Sequence, residues 1–305
     1  MMIKITKNVE EANLITHGGT FHADEVMATV ILAKILGDVV VYRASKMPEK
    51  VRDDVIVYDI GYGQFDHHQR GGNGYRENDI PYAACGLIWK EFGYHLVKEH
   101  DNAYFIWKTM DVDLIQGIDA VDTGTLPKTS YRAYPMSVPQ SIFNFNPAWD
   151  SEEPADEAFL KAASFAEMVF DKTLEKVIAR ARAKEIVEEA IAKAEGNIMV
   201  MERFAPWQKY IFTSQNEKAK EIQFVVFPSN REGYNWQGVP VEIGSYELRC
   251  QAPMEWRGLQ DNELRKVTGV KTAIFCHQYG FIGSAETLED AITMARLAIE
   301  AKVER

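Results

Sequence analysis

The α/β character of the chain is clearest in the stretch Leu14-Ile15-Thr16-His17-Gly18-Gly19-Thr20-Phe21-His22-Ala23-Asp24-Glu25. Its apolar start predicts a buried strand that ends in the glycine turn. The acidic pair at its end predicts the start of a helix, because negative side chains suit the positive end of the helix dipole. Polar side chains directly after a strand lie where α/β proteins place their chemistry.

The same alternation of strands and helices continues along the chain. The helix should end at Gly37, and the apolar runs 39–42 and 55–58 predict two further strands of a mostly parallel sheet. Further helices are predicted over 82–99, 104–116 and 155–195, with a loop over 125–150. After Gly196 the pattern indicates a smaller α+β domain, with strands at 198–201, 222–227, 239–241 and 273–276 and helices at 259–268 and 288–303.

The fold class predicted from these elements is therefore α/β, with a mostly parallel sheet domain and a smaller α+β domain joined by a long helix. The expected boundaries are 1–150 for a metal-binding catalytic domain, 151–196 for the connecting helix and 197–305 for a domain that covers the substrate. The 46% apolar content of the 305 residues is enough to fill such cores.

The charge of the chain excludes a globally basic nucleic-acid-binding protein. The net charge is -11, and residues 201–305 hold 13 Lys/Arg against 14 Asp/Glu, so the excess negative charge lies in residues 1–200. This distribution argues against tight duplex binding. It is compatible with an enzyme that acts on nucleotides or short strands, because bound metal ions supply local positive charge.

The cysteines and the N-terminus indicate a cytoplasmic protein. Cys85, Cys250 and Cys276 are isolated, which excludes a Cys-x-x-Cys zinc ribbon and argues against a disulfide framework. The N-terminal residues lack an apolar signal core, and no apolar run reaches the length of a membrane span. The oligomeric state is left open, with a homodimer as one possibility.

A set of imidazole and carboxylate side chains carries the chemistry. Six candidate metal ligands follow predicted strands or turns: His17, His22, Asp24, Asp59, His67 and Asp122. Without thiolates, such a set suits Mn²⁺, Mg²⁺, Fe²⁺ or Zn²⁺, and its carboxylates favour the harder ions. Six ligands exceed the need of one ion in an open site. Two ions, bridged by a carboxylate and activating water for attack on phosphorus, are therefore expected.

Each of these residues also has an ordinary structural interpretation. A histidine beside a turn is commonly a capping or surface residue, and an aspartate after a strand is commonly a helix cap. The tripeptide Asp66-His67-His68 occurs by chance in many proteins. The prediction of a metal site rests on the combination, in which three separate strand ends present His or Asp near glycine.

The order of these motifs resembles that of the DHH phosphoesterase superfamily, and more closely its melanocyte-proliferating-gene family. The resemblance rests on residues 17–25, on Asp66-His67-His68-Gln69-Arg70 and on Asp119-Ala120-Val121-Asp122-Thr123-Gly124. In the C-terminal part, Trp256-Arg257-Gly258-Leu259 and Gly280-Phe281-Ile282-Gly283 followed by Thr287 also match. The similarity spans nearly the whole chain.

The resemblance implies a Rossmann-like metal domain and a metal-dependent phosphoesterase, with 3′–5′ exoribonuclease activity in the eukaryotic branch. It implies that His17 and His22 hold one ion, that Asp24, His67 and Asp122 hold the other, and that Asp59 bridges them. His68 would contact the scissile phosphate or protonate the leaving oxygen. His22 stands where the usual first motif has Asp.

Two further aspartates have expected roles beside the ions. Asp119 is the alternative to Asp122 as a ligand, and the local Asp-Thr-Gly pattern favours Asp122. Asp66 is expected to orient a neighbouring imidazole as a hydrogen-bond acceptor.

The substrate-binding candidates are mostly C-terminal. The segment 277–284 corresponds to the glycine-histidine substrate loop of the superfamily, whose backbone N–H groups can hold a phosphate. Arginine binds phosphate through two parallel hydrogen bonds. The alternative to a substrate-binding role is an ordinary surface position for the arginines and a core position for the histidine. The candidates are Arg70, Arg249, Arg257, His277, Gly283 and Ser284.

The sequence therefore predicts a phosphodiesterase with two divalent ions, Mn²⁺ first among them, that acts as an exoribonuclease or oligoribonuclease. His68 and Asp59 are the expected catalytic residues. RNA or a short oligonucleotide is the expected substrate, with a nucleotide as the alternative. Two other functions stay open: hydrolysis of a small phosphate compound such as pyrophosphate, and metal or nucleotide binding without catalysis.

Overall fold

Short buried apolar runs build the first sheet of the protein. The structure is a computed structural model that describes residues 2–126 and 135–303. The four strands are β1 Ile3–Thr6, β2 Leu14–His17, β3 Val39–Ala44 and β4 Ile56–Val57. All pairs are parallel and the order is β1-β3-β2-β4. The predicted parallel sheet is confirmed, and β1 is an additional edge strand.

The helix after the first glycine turn is the most buried element. This helix, α1, spans Ala23–Leu36, and all of its residues from Ala23 to Ala33 are buried. It ends at Gly37, whose φ of 89° is a conformation that glycine adopts without strain. Both ends agree with the sequence prediction to within one residue. An element buried all round is apolar all round, which explains its run of Val, Met, Ala, Ile and Leu.

The remaining helices of this part of the chain differ in detail from the prediction. They are α2 Ala84–Phe92, α3 Ala103–Met110, α4 Gln116–Asp122, α5 Val138–Phe143 and α6 Ala155–Ala192. Against α1 pack α2, α4 and α5. The predicted helix 82–99 is shorter, because a 3₁₀ turn over Gly93–Leu96 follows α2. The predicted loop 125–150 contains α5, and its residues 127–134 lie outside the described residues.

The helix predicted over 104–116 does not end there. A π-helical turn over Asp111–Ile115 joins α3 to α4 in one continuous run. Asp119 and Asp122 therefore lie one turn apart on α4, beyond the predicted end of the helix at 116. The run ends only at Gly124, whose φ is 69°. A π turn adds a residue to the helical repeat, and such turns are frequent at functional sites.

The chain divides into two units, Met1–Ile178 and Ala179–Arg305. The boundary falls inside α6, a 38-residue helix that begins in the first unit and ends in the second. Its predicted bounds of 155–195 are close to the observed ones. At 1.5 Å per residue, the unbroken helix is roughly 57 Å long.

The second unit has a mixed five-stranded sheet with helices, as the predicted α+β class requires. Its strands are β5 Ile198–Val200, β6 Phe224–Pro228, β7 Tyr234–Gly238, β8 Ala273–Cys276 and β9 Ile282–Ala285, in the order β5-β6-β7-β9-β8. Its helices are α7 Gln208–Thr213, α8 Lys218–Glu221, α9 Asp261–Thr268 and α10 Leu288–Val303. The pair β5–β6 is parallel and the other pairs are antiparallel.

Two predictions for this unit are wrong. The strand expected over 239–241 lies earlier, as β7, because Pro240 cannot donate to a ladder and keeps only an isolated bridge with Leu248. The segment 277–284, expected as a loop, is a turn followed by β9. Across residues 2–126 and 135–303, every helix is too short or too polar to cross a bilayer.

Candidate metal centre

The centre lies at the carboxyl edge of the parallel sheet. His17 ends β2, and Asp59 follows the adjacent β4. Tyr58 pairs in parallel with Phe65, and the Asp59 N–H donates to the Phe65 carbonyl oxygen at 2.9 Å. This short pairing returns the chain to the same edge, so the stretch 66–68 arrives beside Asp59. Strand ends of parallel sheets meet at one edge, which explains why motifs so distant in sequence converge.

His17 lies between two buried carboxylates. Its Nε2 atom is 3.0 Å from Glu25 Oε1 and 3.2 Å from Asp59 Oδ2. Burial alone lowers the pKa of His17, but the hydrogen bonds and negative charges of Asp59 and Glu25 outweigh it and raise the pKa to about 11. The two carboxylates therefore favour the charged form of the imidazole. The same carboxylates would hold a metal cation.

His67 connects Asp59 to the C-terminal end of α4. Its Nε2 atom is 2.9 Å from Asp122 Oδ2, and its Nδ1 atom is 3.4 Å from Asp59 Oδ1. Burial opposes ionisation of Asp122, but the hydrogen bond from His67 overcomes this and lowers the pKa of Asp122. Burial lowers the pKa of His67, but the carboxylates of Asp122 and Asp59 outweigh it, so the pKa is raised overall.

Asp24 is the most unusual group of the centre. It is fully buried at the start of α1, and neither of its side-chain oxygens has a hydrogen-bond partner. Burial first, and then the nearby carboxylates of Asp59 and Asp122, raise the pKa of Asp24 well above its ordinary value. Burial likewise raises the pKa of Asp59, although His17 opposes the shift.

His68 is oriented by its neighbour Asp66. The His68 Nδ1 atom is 2.7 Å from Asp66 Oδ1, which also accepts the His68 backbone N–H at 3.0 Å. The other oxygen, Oδ2, accepts the N–H of Tyr62 at 2.6 Å. Asp66 is 1% exposed, whereas the His68 side chain is 53% exposed. The imidazole therefore has one fixed nitrogen and one that is free to meet a ligand in the pocket.

The donor set fits divalent metal ions. Ligand atoms of His22, Asp24 and Asp122 lie within 4.8 Å of one another, as do those of Asp24, Glu25 and Asp59. Buried atoms without a hydrogen-bond partner include both oxygens of Asp24, Oδ1 of Asp59 and Nδ1 of His67. Buried polar atoms normally have hydrogen-bond partners, so these four ligand atoms without partners fit a site that could hold a cation. Their oxygen and nitrogen chemistry suits Mn²⁺, Mg²⁺, Fe²⁺ or Zn²⁺.

All six predicted ligands thus lie in one place, and Glu25 is an addition that the sequence analysis missed. The Glu25 carboxylate also accepts the backbone N–H of His22 at 2.9 Å. A glutamate three residues after a turn residue is the spacing of a helix capping box, and that signal was available in the sequence. Its second role, the contact with His17, depends on the fold.

Asp119 has a different partner from the six ligand candidates. It is fully buried, lies 2.8 Å from Arg76 Nη1 and accepts the Gly86 N–H at 2.9 Å. A side chain at position 86 would collide with the Asp119 carboxylate, because a Cβ there would lie 1.8 Å from Oδ2. Arg76 also pairs with Asp111 at 2.7 Å. Burial raises the pKa of Asp119 to about 7, although Arg76 opposes the shift.

The predicted substrate residues are dispersed. Arg70 is exposed in the first unit and is not among the residues that line the pocket at the centre. In the second unit, Arg249 donates to the carbonyl oxygens of Ala219, Lys220 and Ile222. Arg257 donates to the Ala252 carbonyl oxygen at 3.0 Å.

The other three candidates lie close together in the second unit. The His277 ring is 4.5 Å from that of Phe281. Gly283 and Ser284 lie in β9 and pair with residues of β7. The Trp236 ring occupies the space that a side chain at position 283 would need. The substrate-binding roles of all six residues stay predictions.

The centre opens into a pocket of about 840 Å³. Polar and catalytic candidates form one part of the wall, among them Asp59, His67, His68 and Asp122. The rest is mainly apolar and aromatic and comes from the chain after the Asp-His-His stretch, from α4 and from α5: Tyr75, Pro81, Tyr82, Ile118, Val121, Pro139 and Phe143. The volume lies within the range of about 300–1,000 Å³ that is usual for small-molecule sites.

Comparison with known proteins gives a single family. Residues 13–299 match the family described as "Uncharacterised protein family (UPF0160)", whose short name is MYG1_exonuc. A MYG1 protein of Schizosaccharomyces pombe is 31% identical over 93% of this chain and 96% of its own length. A MYG1 protein of Saccharomyces cerevisiae is 31% identical over 93% and 94%.

A mammalian relative has a more specific name. The protein named MYG1 exonuclease of Homo sapiens is 28% identical over 93% of this chain and 85% of its own length. No solved structure gives a significant match. The family match covers almost the whole chain, and the relatives align over nearly their full lengths. The chain therefore belongs to the MYG1 family, the melanocyte-proliferating-gene family that its motifs resemble.

Proposed function

We propose that this chain is a nuclease-type hydrolase that uses two divalent ions, Mn²⁺ first among them, to cleave phosphodiester bonds of RNA or short oligoribonucleotides in the 3′–5′ direction. The observation that carries the proposal is the convergence of six predicted ligands around buried donors without partners. The relatives named MYG1 exonuclease support a nuclease in preference to other hydrolases.

The arrangement of donors supports two positions for ions. His17 and His22, whose ring centroids are 5.9 Å apart, would hold the first ion, and Glu25 would add a carboxylate there. Asp24, His67 and Asp122 would hold the second, and Asp59 lies between the two sets. Such ions, when bound, neutralise phosphate charge and lower the pKa of water, so that hydroxide becomes available near neutral pH.

His68 is the residue proposed to act on the substrate. His68 lines the pocket, and because Asp66 holds its Nδ1 atom, its Nε2 atom is left to donate to a phosphate oxygen or to the leaving oxygen. Asp66 fixes the orientation of the imidazole through this 2.7 Å contact. This division of roles separates His68 from His67, which contacts Asp59 and Asp122.

The pocket supports a nucleotide-bearing substrate over a small phosphate compound. Pyrophosphate needs only charged and polar contacts. Much of the wall is instead apolar and aromatic, as in sites that bind an organic group beside the reacting atoms.

The test is release of mononucleotides from oligoribonucleotides labelled at the 3′ or the 5′ end, with Mn²⁺, Mg²⁺, Fe²⁺ or Zn²⁺ supplied in turn. We expect Mn²⁺-dependent release that begins at the 3′ end, and a His100→Ala variant, altered at an exposed histidine away from the pocket, should retain it. The proposal fails if folded protein releases nothing with any of the ions. Faster turnover of pyrophosphate than of oligomers would favour the small-phosphate alternative.

A further inference from the structure

Two exposed aromatic rings stand in the wall of the pocket. Phe143, at the end of α5, is 42% exposed, and Tyr75, in the chain after the Asp-His-His stretch, is 61% exposed. An aromatic ring stabilises the folded state more when it is buried than when it is exposed to water. Exposed aromatic rings that line a pocket are typical of sites that bind a flat organic group.

Phe143 lies directly beside the metal centre. Its ring is stacked on the imidazole of His22, with centroids 6.0 Å apart and planes inclined by 19°. The helix that carries it packs on α1 and α4, the two helices that present Asp24 and Asp122. A group that contacts Phe143 is therefore within one side chain of the residues proposed to hold the ions.

Tyr75 is held on a fixed backbone. It forms an antiparallel bridge with Pro81, and the Tyr82 N–H donates to the Gly74 carbonyl oxygen at 3.1 Å. The guanidinium of Arg76 lies 4.3 Å from the centroid of the Tyr82 ring. It also forms ion pairs with Asp111 and Asp119. These contacts hold the backbone that carries Tyr75, so less backbone entropy is lost when a ligand contacts the ring.

The charge of the pocket limits how an oligonucleotide could bind there. Of the lining residues that the structure describes, none is a lysine or an arginine, whereas Asp59, Asp79 and Asp122 are acidic. Along this described part of the wall, a nucleic acid therefore meets mainly uncharged and acidic side chains. Base stacking on the aromatic rings is an uncharged contact that such a wall offers.

We propose that Tyr75 and Phe143 form a stacking site for an unpaired nucleobase next to the scissile phosphate, and that the substrate is consequently a single-stranded oligonucleotide. This proposal rests on the proposed phosphodiesterase function and names its substrate class. Because every base has an aromatic face, the site is tolerant of sequence. A base within a duplex is covered by its neighbours and cannot enter between or against these rings.

The experiment compares a base-bearing oligomer with an abasic one. The substrates are a pentaribonucleotide and the same pentamer with its terminal base removed, at the 3′ end in one version and at the 5′ end in another. The proteins are the wild type, Tyr75→Leu, Phe143→Leu and the double variant, in which apolar bulk is kept and the aromatic face is lost. Tyr104→Ala, at a 64% exposed ring outside the pocket, is the matched control.

The quantity measured is the ratio of kcat/KM for the base-bearing and the abasic pentamer. We expect the wild type and Tyr104→Ala to prefer the base-bearing pentamer by roughly 5- to 150-fold, the range for one stacked base. The preference should fall toward one in the double leucine variant. A role in packing alone would lower kcat/KM for both pentamers and leave the ratio unchanged. Such an unchanged ratio, or a wild type without preference, overturns the proposal.

A binding measurement separates this proposal from the proposed function. Fluorescence anisotropy of the same labelled pentamers, with Ca²⁺ in place of the Mn²⁺ expected to support cleavage, gives Kd without turnover. If the wild type cleaves neither pentamer, the phosphodiesterase function fails, while tighter binding of the base-bearing pentamer that the leucine variants lose still supports the stacking site. Equal Kd values for the two pentamers in the wild type overturn the stacking site whether or not cleavage occurs.

Discussion

Asp59 combines an unusual backbone conformation with a central position in the candidate metal centre. Its φ of 55° lies in the left-handed region, which few residues other than glycine adopt and which costs on the order of 1–3 kcal/mol. Only 3% of its surface is exposed, and its carboxylate lies between His17 and His67. The conformation aims a carboxylate into the centre directly after a strand. Strained residues persist where the surroundings fix them, and such places are commonly functional sites.

Asp24 gives the first expectation at this scale. In metal-free protein, Asp24→Asn should raise the free energy of unfolding by about 1–3 kcal/mol, because it removes an ionisable group buried without partners among like charges. With Mn²⁺ at about 100 times its Kd, the wild type should gain about 2.7 kcal/mol. The variant should gain less, since it has lost a ligand.

Urea denaturation in EDTA and in Mn²⁺ measures both effects of Asp24→Asn. Asp101→Asn, at an exposed carboxylate, serves as the control and should behave like the wild type. Loss of stability in EDTA would show that the Asp24 carboxylate stabilises the fold, which contradicts its assignment to a cation.

His68 and Asp66 give the second expectation. His68→Ala should lower kcat by about 10²- to 10⁴-fold, the usual contribution of a proton donor, with the metal content nearly unchanged. Asp66→Asn should cause a smaller loss, because the imidazole remains but loses the acceptor at 2.7 Å that orients it. Metal content by mass spectrometry and kcat on an oligoribonucleotide are the two readouts. Loss of one ion per chain in His68→Ala would make His68 a ligand.

At the scale of elements, the run α3, π turn and α4 positions the C-terminal part of the centre. The π turn holds Asp111, and α4 holds Asp119 one turn before Asp122. Arg76 joins these elements through Asp111 and Asp119, and Gly86 lets α2 approach the Asp119 carboxylate. The buried ion cluster therefore sets the position from which Asp122 reaches His67.

The sequence predicted these elements unevenly, for physical reasons. The ends of α1 carry local signals, an acidic first turn and a terminal glycine, and both were located correctly. The π turn has no such signal in the sequence, and its Asp111 pairs with Arg76, 35 residues earlier in the chain. The candidate ligands were predicted from motif order at strand ends. The contacts of Glu25 with His17 and of Arg76 with Asp119 depend on the tertiary structure.

Arg76 gives the third expectation. Arg76→Met should lower the free energy of unfolding by about 3–5 kcal/mol, because it leaves the fully buried Asp119 without its cation. Arg76→Lys should recover only part of this, since an ammonium cannot bond both aspartates through a planar fork. Urea denaturation measures the losses.

The double variant Arg76→Met/Asp119→Asn separates the ion pair from packing around Arg76. It should be more stable than Arg76→Met alone, because the uncompensated charge is gone. A double variant that is less stable would mean that the packing of the arginine, and not its charge, carries the effect.

At the scale of the whole molecule, the most acidic part of the chain is also the part that carries the candidate metal centre. Ten of the eleven excess negative charges lie in residues 1–200, which include every proposed ligand of the centre. A cluster of carboxylates in an already acidic part of the chain attracts cations and repels free anions. The sequence predicted this asymmetry directly, since charge counts need no fold. It could not predict the division inside α6, because the pattern of α6 is continuous across Ile178.

The same charge distribution sets the pH dependence of stability. Burial raises the pKa of Asp24, of Asp59 and of Asp119 above the unfolded value of about 3.9, so the folded state binds more protons than the unfolded state above that pH. Such groups lower stability as pH rises. The raised pKa of His17 acts in the same direction, because its contribution is complete below the unfolded value of about 6.5 and is lost as pH rises toward 11.

We therefore expect the metal-free protein to become less stable from about pH 5 to about pH 8. With saturating Mn²⁺ the trend should reverse, because the ligands must be deprotonated to bind and binding strengthens as pH rises. Urea denaturation in EDTA and in Mn²⁺ across this range measures both slopes, and Asp24→Asn should flatten the EDTA slope. If the metal-free protein is more stable at about pH 8 than at about pH 5, groups of the protein itself compensate the buried carboxylates, and this contradicts the proposed cation site.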